Sequence, residues 1–228
     1  MALRRVRMRM TLAAAAVLAV PYNVLPSGED MPAFALRISR AGSVTHASCT
    51  LIAKHGAGEQ VVLYFVTAAR LFATAERDRG APIASVVIDP HIRRLLVRPD
   101  DVIVPTGMPI DVALLRVTLE HSDLEPARLA FDPPAAAALF TIHGIADGGG
   151  RLVVPQRVRI VSTASIAGDV AVQWRSCVGA PAGVNGRMFG VVTDCDTGRG
   201  PTVSLLGSAR EFLARHVRAL TTTTRPSR

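Results

Sequence analysis

Aromatic residues are scarce: they make up 4% of 228 residues, with a single tryptophan. The core must therefore be built mainly from Val, Leu, Ile and Ala. Cysteines number three, Cys49, Cys177 and Cys195. Their spacing fits no zinc-ribbon or Cys-x-x-Cys pattern, so no metal site and no cofactor is expected. Long apolar runs are missing too. Spanning a bilayer takes about 20 apolar residues, and the one candidate, Thr11 to Val20, is stopped at Pro21. A Lys/Arg stripe interleaved with aromatics is also absent, so the formal charge of +8 does not read as a nucleic-acid footprint.

The location of that charge carries more information than its size. Residues 1–19 contain Arg4, Arg5, Arg7 and Arg9 and no acid. Basic residues followed by a short apolar run and Val17-Leu18-Ala19 form the pattern of an export signal. Taking four from 26 leaves 22 basic against 18 acidic residues, a net +4 spread along the chain. The expected destination is secreted or periplasmic. An odd cysteine count in an exported chain allows one bridge and one leftover thiol, with the pairing open. Residues 20–32, rich in Pro, Gly and acids, read as a linker or surface arm.

From Ala33 onward, short apolar runs alternate with turn residues. Phe34 to Ile38, Cys49 to Ile52, Val61 to Val66, Ile83 to Ile88 and Val112 to Val117 have strand length. So do Leu152 to Val154, Val158 to Val161, Val170 to Trp174 and Met188 to Val192. Many short strands with no helical period between them predict an antiparallel sandwich or barrel. Pro133-Pro134, then Ala135 to Leu139, read as the linker after which a second barrel begins, at Phe140-Thr-Ile142. Ser208-Ala-Arg-Glu211 has the form of a capping box, and Phe212, Leu213, Val217 and Leu220 give an apolar helical face. A helix over 208–220 is predicted, with a frayed tail at 221–228.

Four segments, in order, resemble the trypsin-like (chymotrypsin-fold) serine proteases. Ser48-Cys-Thr-Leu-Ile52 is similar to that family's Gly-Thr-Leu-Ile strand. Phe65-Val-Thr-Ala-Ala-Arg70 resembles Leu-Thr-Ala-Ala-His, and Asp111-Val-Ala-Leu-Leu115 resembles Asp-Ile-Ala-Leu-Leu. Ser176-Cys-Val-Gly-Ala-Pro181 lies on Gly-Asp-Ser-Gly-Gly-Pro, and Gly190-Val-Val192 on the strand that follows. The resemblance implies an all-β fold of two antiparallel six-stranded β-barrels with a C-terminal helix. The first barrel would span about 33–130 and the second about 136–207. The shorter spacing from Asp111 to position 178 implies trimmed loops in the second barrel.

The chemistry of that family needs a hydroxyl nucleophile, an imidazole base and a carboxylate that fixes the imidazole. Carried over residue by residue, only the carboxylate is present, as Asp111. The histidine position holds Arg70, a permanent cation that cannot accept a proton. The serine position holds Val178, which has no nucleophilic atom. Around it, Ser176 and Cys177 replace a glycine and an aspartate, and Gly179 is kept. The Cβ of Ser176 conflicts with the backbone angle that would aim an oxyanion donor.

A non-catalytic homologue that binds a peptide or protein partner in the inter-barrel cleft is thus expected, as a monomer and without nucleic acid. Arg70 and Asp111 are expected to form an ion pair there. The competing reading is a hydrolase with Cys177 as nucleophile, against which Cys177 would be buried or bridged to Cys49 or Cys195. The described motif places no histidine beside it; His46 and His55 read as loop residues flanking a strand.

Overall fold

The computed structural model describes residues 31–40, 42–73, 82–89, 93–106, 110–145, 151–170, 174, 176–195 and 200–217. The predicted signal and most of the arm lie outside these residues, as does the tail. Among the described residues no helix is long and apolar enough to cross a membrane.

The first half of the chain forms β1 (Phe34–Arg40), β2 (Ser43–Ala57), β3 (Gln60–Thr67), the single turn α1 (Arg70–Ala73), β4 (Ile83–Asp89), β5 (Arg93–Val97), β6 (Val102–Ile103) and β7 (Ala113–Leu119). They pair in the order β5-β4-β1-β2-β3-β7-β6, and every pairing is antiparallel. A short 3-10 turn at Pro99–Asp101 separates β5 from β6. Counting those two as one bent strand gives six.

The second half forms β8 (Arg128–Leu129), β9 (Leu139–Ile145), β10 (Arg151–Arg157), β11 (Arg159–Ile160), β12 (Ser165–Ala167), β13 (Pro181–Val184), β14 (Arg187–Asp194) and β15 (Thr202–Leu205), closed by α2 (Arg210–His216). The order is β10-β9-β13-β14-β15-β12-β11, with β8 lying parallel to β14 off that path. Strands β10 and β11 are again two halves of one bent strand, joined at Val158. Six strands result here too, and β8 shows that the second barrel recruits chain before the predicted boundary near 130.

Three cores explain the pairing. Leu36, Ile38, Leu63, Phe65, Val86 and Leu115 fill the first barrel, and Phe140, Ile142, Phe189, Val192 and Val203 fill the second. A third lies between them, where Ile52, Val66 and Leu114 meet Met188, Val191 and Leu206. Each fully buried aliphatic or aromatic side chain contributes about 2 kcal/mol. Strand β2 serves two of these cores because its register shifts between Leu51 and Ala53. Such a bulge changes which face a residue presents. Ala47, Cys49 and Leu51 point into the barrel, whereas Ile52 and Ala53 reach the shared core.

Several expectations need correction. The capping box does not form: Ser208 Oγ donates to the Leu205 carbonyl at 2.6 Å, and the helix begins two residues later at Arg210. It ends at His216, and Val217 packs beside Phe212 and Leu213 in the shared core; Leu220 lies outside the described residues. The predicted strand Val170 to Trp174 lies partly outside them as well, and Val170 sits in a bend. His46 and His55 are exposed, as expected, but on β2 itself, which is much longer than its apolar stretch.

Candidate functional site

The Phe65-to-Arg70 segment leaves the end of β3 through Ala68 and Ala69. Both are buried, one in the shared core and one in the first barrel. Phe72 anchors the following turn in the barrel. Arg70 is thereby left at the rim, with its side chain 50% exposed. Across from it, buried Ile110 and Val112 hold Asp111 between them just before β7.

Arg70 and Asp111 meet directly. The Arg70 backbone amide donates to Asp111 Oδ1 at 2.7 Å, and Arg70 Nε donates to Asp111 Oδ2. Both carboxylate oxygens are thus engaged by the same residue. Arg70 Nη1 also lies 4.0 Å from Asp194 Oδ2, at the end of β14 in the second barrel. The guanidinium therefore stands between a carboxylate of each barrel.

The 176–179 segment is fastened to the first barrel through Ser48. Ser48 Oγ donates to the Ser176 carbonyl at 2.6 Å, and the Ser48 amide donates to the Val178 carbonyl at 2.8 Å. Ser48 faces out of its barrel, yet it is fully buried because this segment covers it. The Ser48 carbonyl in turn accepts from Thr67 Oγ1 at 2.7 Å. Gly179, at φ 88°, fits closely against that same carbonyl and hydroxyl, leaving no room for a Cβ. Its amide donates to the Val192 carbonyl at 2.7 Å.

Within the segment, Ser176 is buried and Ser176 Oγ donates to the Ile145 carbonyl at 2.7 Å. Its backbone is not in the left-handed region, which Gly179 does occupy. Val178 is half-buried and packs against the shared core. Cys177 is bonded to Cys195 in a disulfide, so it offers no thiol. That removes the atom on which the Cys177 hydrolase reading depended. Cys49 is the free cysteine, and its complete burial pushes the thiol far above its ordinary range, keeping it protonated.

Other side chains are held elsewhere. The His143 imidazole lies 2.9 Å from Thr141 Oγ1 in the second barrel. Among the described residues no three metal-ligating side chains gather at one place.

Two curled antiparallel sheets, a shared core and a closing helix, with residues 70, 111 and 176–179 where the barrels meet, form one recognisable arrangement. Solved structures of the same architecture include the active form of the Rv3671c protease from M. tuberculosis. It is 19% identical, with a TM-score of 0.56, covering 100% of this chain and 97% of that one. The chain has the trypsin-like fold. A thermostable serine protease, AL20, from an extremophilic microorganism matches with a TM-score of 0.60 at 11% identity, over 84% of this chain and 97% of that one. Kallikrein-related peptidase 10 matches at 0.59 and 11%, over 81% and 95%. No protein-family profile and no curated protein sequence matches the chain.

Of the residues singled out in the sequence, the trypsin-like fold joins Arg70 to Asp111 and gathers Ser176 to Gly179 into one fastened turn. It adds three that the sequence did not reveal: Ser48, Thr67 and Asp194. Ser48 and Thr67 stand inside the resemblance segments, but nothing local marks their side chains as clasps.

Proposed function

We propose that this is a non-catalytic protein of trypsin-like fold that acts by binding a peptide or protein partner in the groove between its barrels. The observation that carries the reading is that both oxygens of Asp111 are occupied by Arg70. A carboxylate in that position would otherwise orient an imidazole. The guanidinium beside it stays protonated and cannot act as a base, and Val178 supplies nothing to activate. Positions 70, 111, 176, 177, 178 and 179 are read accordingly as a degenerate triad and an altered oxyanion turn. Residues 1–19 are read as a removable export signal, which places the mature chain outside the cytoplasm.

The test has two arms. Treated with a fluorophosphonate probe and assayed on casein, the purified protein should take up no label and cleave nothing. Labelling at a serine, with turnover, would overturn the proposal. A random peptide library passed over the immobilised protein should enrich sequences that an Asp194→Trp variant, crowded at the groove's lip, no longer retains. A library that never distinguishes the two variants rules out the groove as the binding site.

A further inference from the structure

The outer face of the first barrel carries three cross-strand rows. Register sets Leu96, Ser85, Arg37 and His46 in one row across β5, β4, β1 and β2. Ile83, Ser39 and Val44 form the next, and Arg94, Val87 and Ala35 lie on the other side. The alternate residues Leu36, Ile38, Ala84, Val86, Leu95 and Val97 fill the barrel, so these rows point outward.

The composition of this face is unusual for a sheet exterior. Leu96 is 65% exposed, Ile83 54% and Val44 44%, and Arg94 and His46 are exposed beside them. Among the described residues the three rows hold no carboxylate. Arg37 lies in the middle row, and its Nε is buried without a hydrogen-bond partner.

We infer that this face docks on an anionic lipid surface. Headgroup phosphates accept hydrogen bonds from Arg37 and Arg94, while Leu96, Ile83 and Val44 enter the interfacial layer. Size and charge both favour a bilayer over a protein. The rows offer ten side chains, whereas a stable protein interface takes about 20–30 residues a side. Aliphatics set beside cations suit a surface that presents both phosphates and acyl chains.

The experiment is co-sedimentation of the full chain with phosphatidylcholine vesicles, with and without phosphatidylglycerol. Wild type should pellet with the anionic vesicles and be released by salt, because screened charges attract less. Two variants are compared with it: Ile83→Asp with Leu96→Asp, and Arg37→Gln with Arg94→Gln. The arginine pair should partition about 30-fold more weakly, the product of two several-fold losses, and the aspartate pair at least as weakly, because it removes two apolar contacts and adds two charges of the membrane's own sign. Arg94→Gln alone changes one exposed side chain and serves if a double variant fails to fold, as checked by circular dichroism; it should bind several-fold more weakly. Equal partitioning of wild type and variants would assign any binding to the basic N-terminal segment and overturn the inference. So would the absence of binding to anionic vesicles, or retention of a poly-glutamate peptide by protein that leaves vesicles unbound.

Discussion

Arg70 grips Asp111 twice, once through its backbone amide and once through its side chain. The first bond survives any substitution at position 70 that keeps the backbone in place, whereas both depend on Asp111. Asp111→Ala should therefore destabilise the fold more than Arg70→Ala. Expected losses in a denaturant titration are about 1–2 kcal/mol and, because the guanidinium is half-exposed and screened, about 0.5 kcal/mol. The reverse order would show that the side-chain pair dominates.

Arg70→His supplies an imidazole beside the Asp111 carboxylate, but position 178 still lacks an attacking atom. No hydrolysis of casein or of an ester substrate is expected from this variant. Measurable turnover that an imidazole-directed reagent abolishes would mean that another nucleophile reaches the cleft.

Gly179→Ala tests the fastening of the 176–179 turn. A Cβ there meets the Ser48 carbonyl and Thr67 Oγ1 at a positive φ. Strain of about 1–3 kcal/mol from the backbone, with overpacking of similar size, is expected. The readout is a large fall in the urea midpoint at unchanged slope. Ser48→Ala should cost less, about 1–2 kcal/mol, since it leaves one buried carbonyl without its hydroxyl donor.

Thiol counting checks the cysteine assignment. Under non-reducing native conditions an alkylating reagent should label nothing, because Cys49 is buried and Cys177 is bonded to Cys195. Unfolding without reductant should expose one thiol per chain. Replacing both bridged cysteines by serine should lower stability by about 2–4 kcal/mol, the usual loss when a loop of this length is opened.

Trp174 is the single tryptophan and lies against Gly144, where a Cβ would strike its indole ring. Gly144→Val should displace the ring. A red-shifted fluorescence emission is expected, and an unshifted spectrum would place the indole elsewhere.

Strands with dense apolar residues were legible in the sequence: β1, β3, β4, β7 and β14, together with the apolar parts of β2, β9, β10 and β11. Others were not. Strand β13 reads Pro-Ala-Gly-Val, a composition that local propensity assigns to turns, and β15 reads Thr-Val-Ser-Leu, a strand-like alternation only four residues long. They become strands because β14 lies between them. The Ser208 motif had the right letters for a cap, yet its hydroxyl found a nearer carbonyl at Leu205. The Arg70–Asp111 pair was legible because two segments resembled known neighbours in space. The Ser48–Ser176 bond spans 128 positions, and no local pattern announces a partner so distant. Nor could spacing alone choose between Cys49 and Cys195 as the partner of Cys177.

The core shared by the barrels has a thermal consequence. Ile52, Val66 and Leu114 share buried surface with Met188, Val191 and Leu206, and Phe212 and Leu213 of α2 complete the cluster. Loosening either half would expose the other's apolar side to water. Neither half can melt alone, so heating should give one calorimetric peak, with α2 and both sheets lost in the same transition.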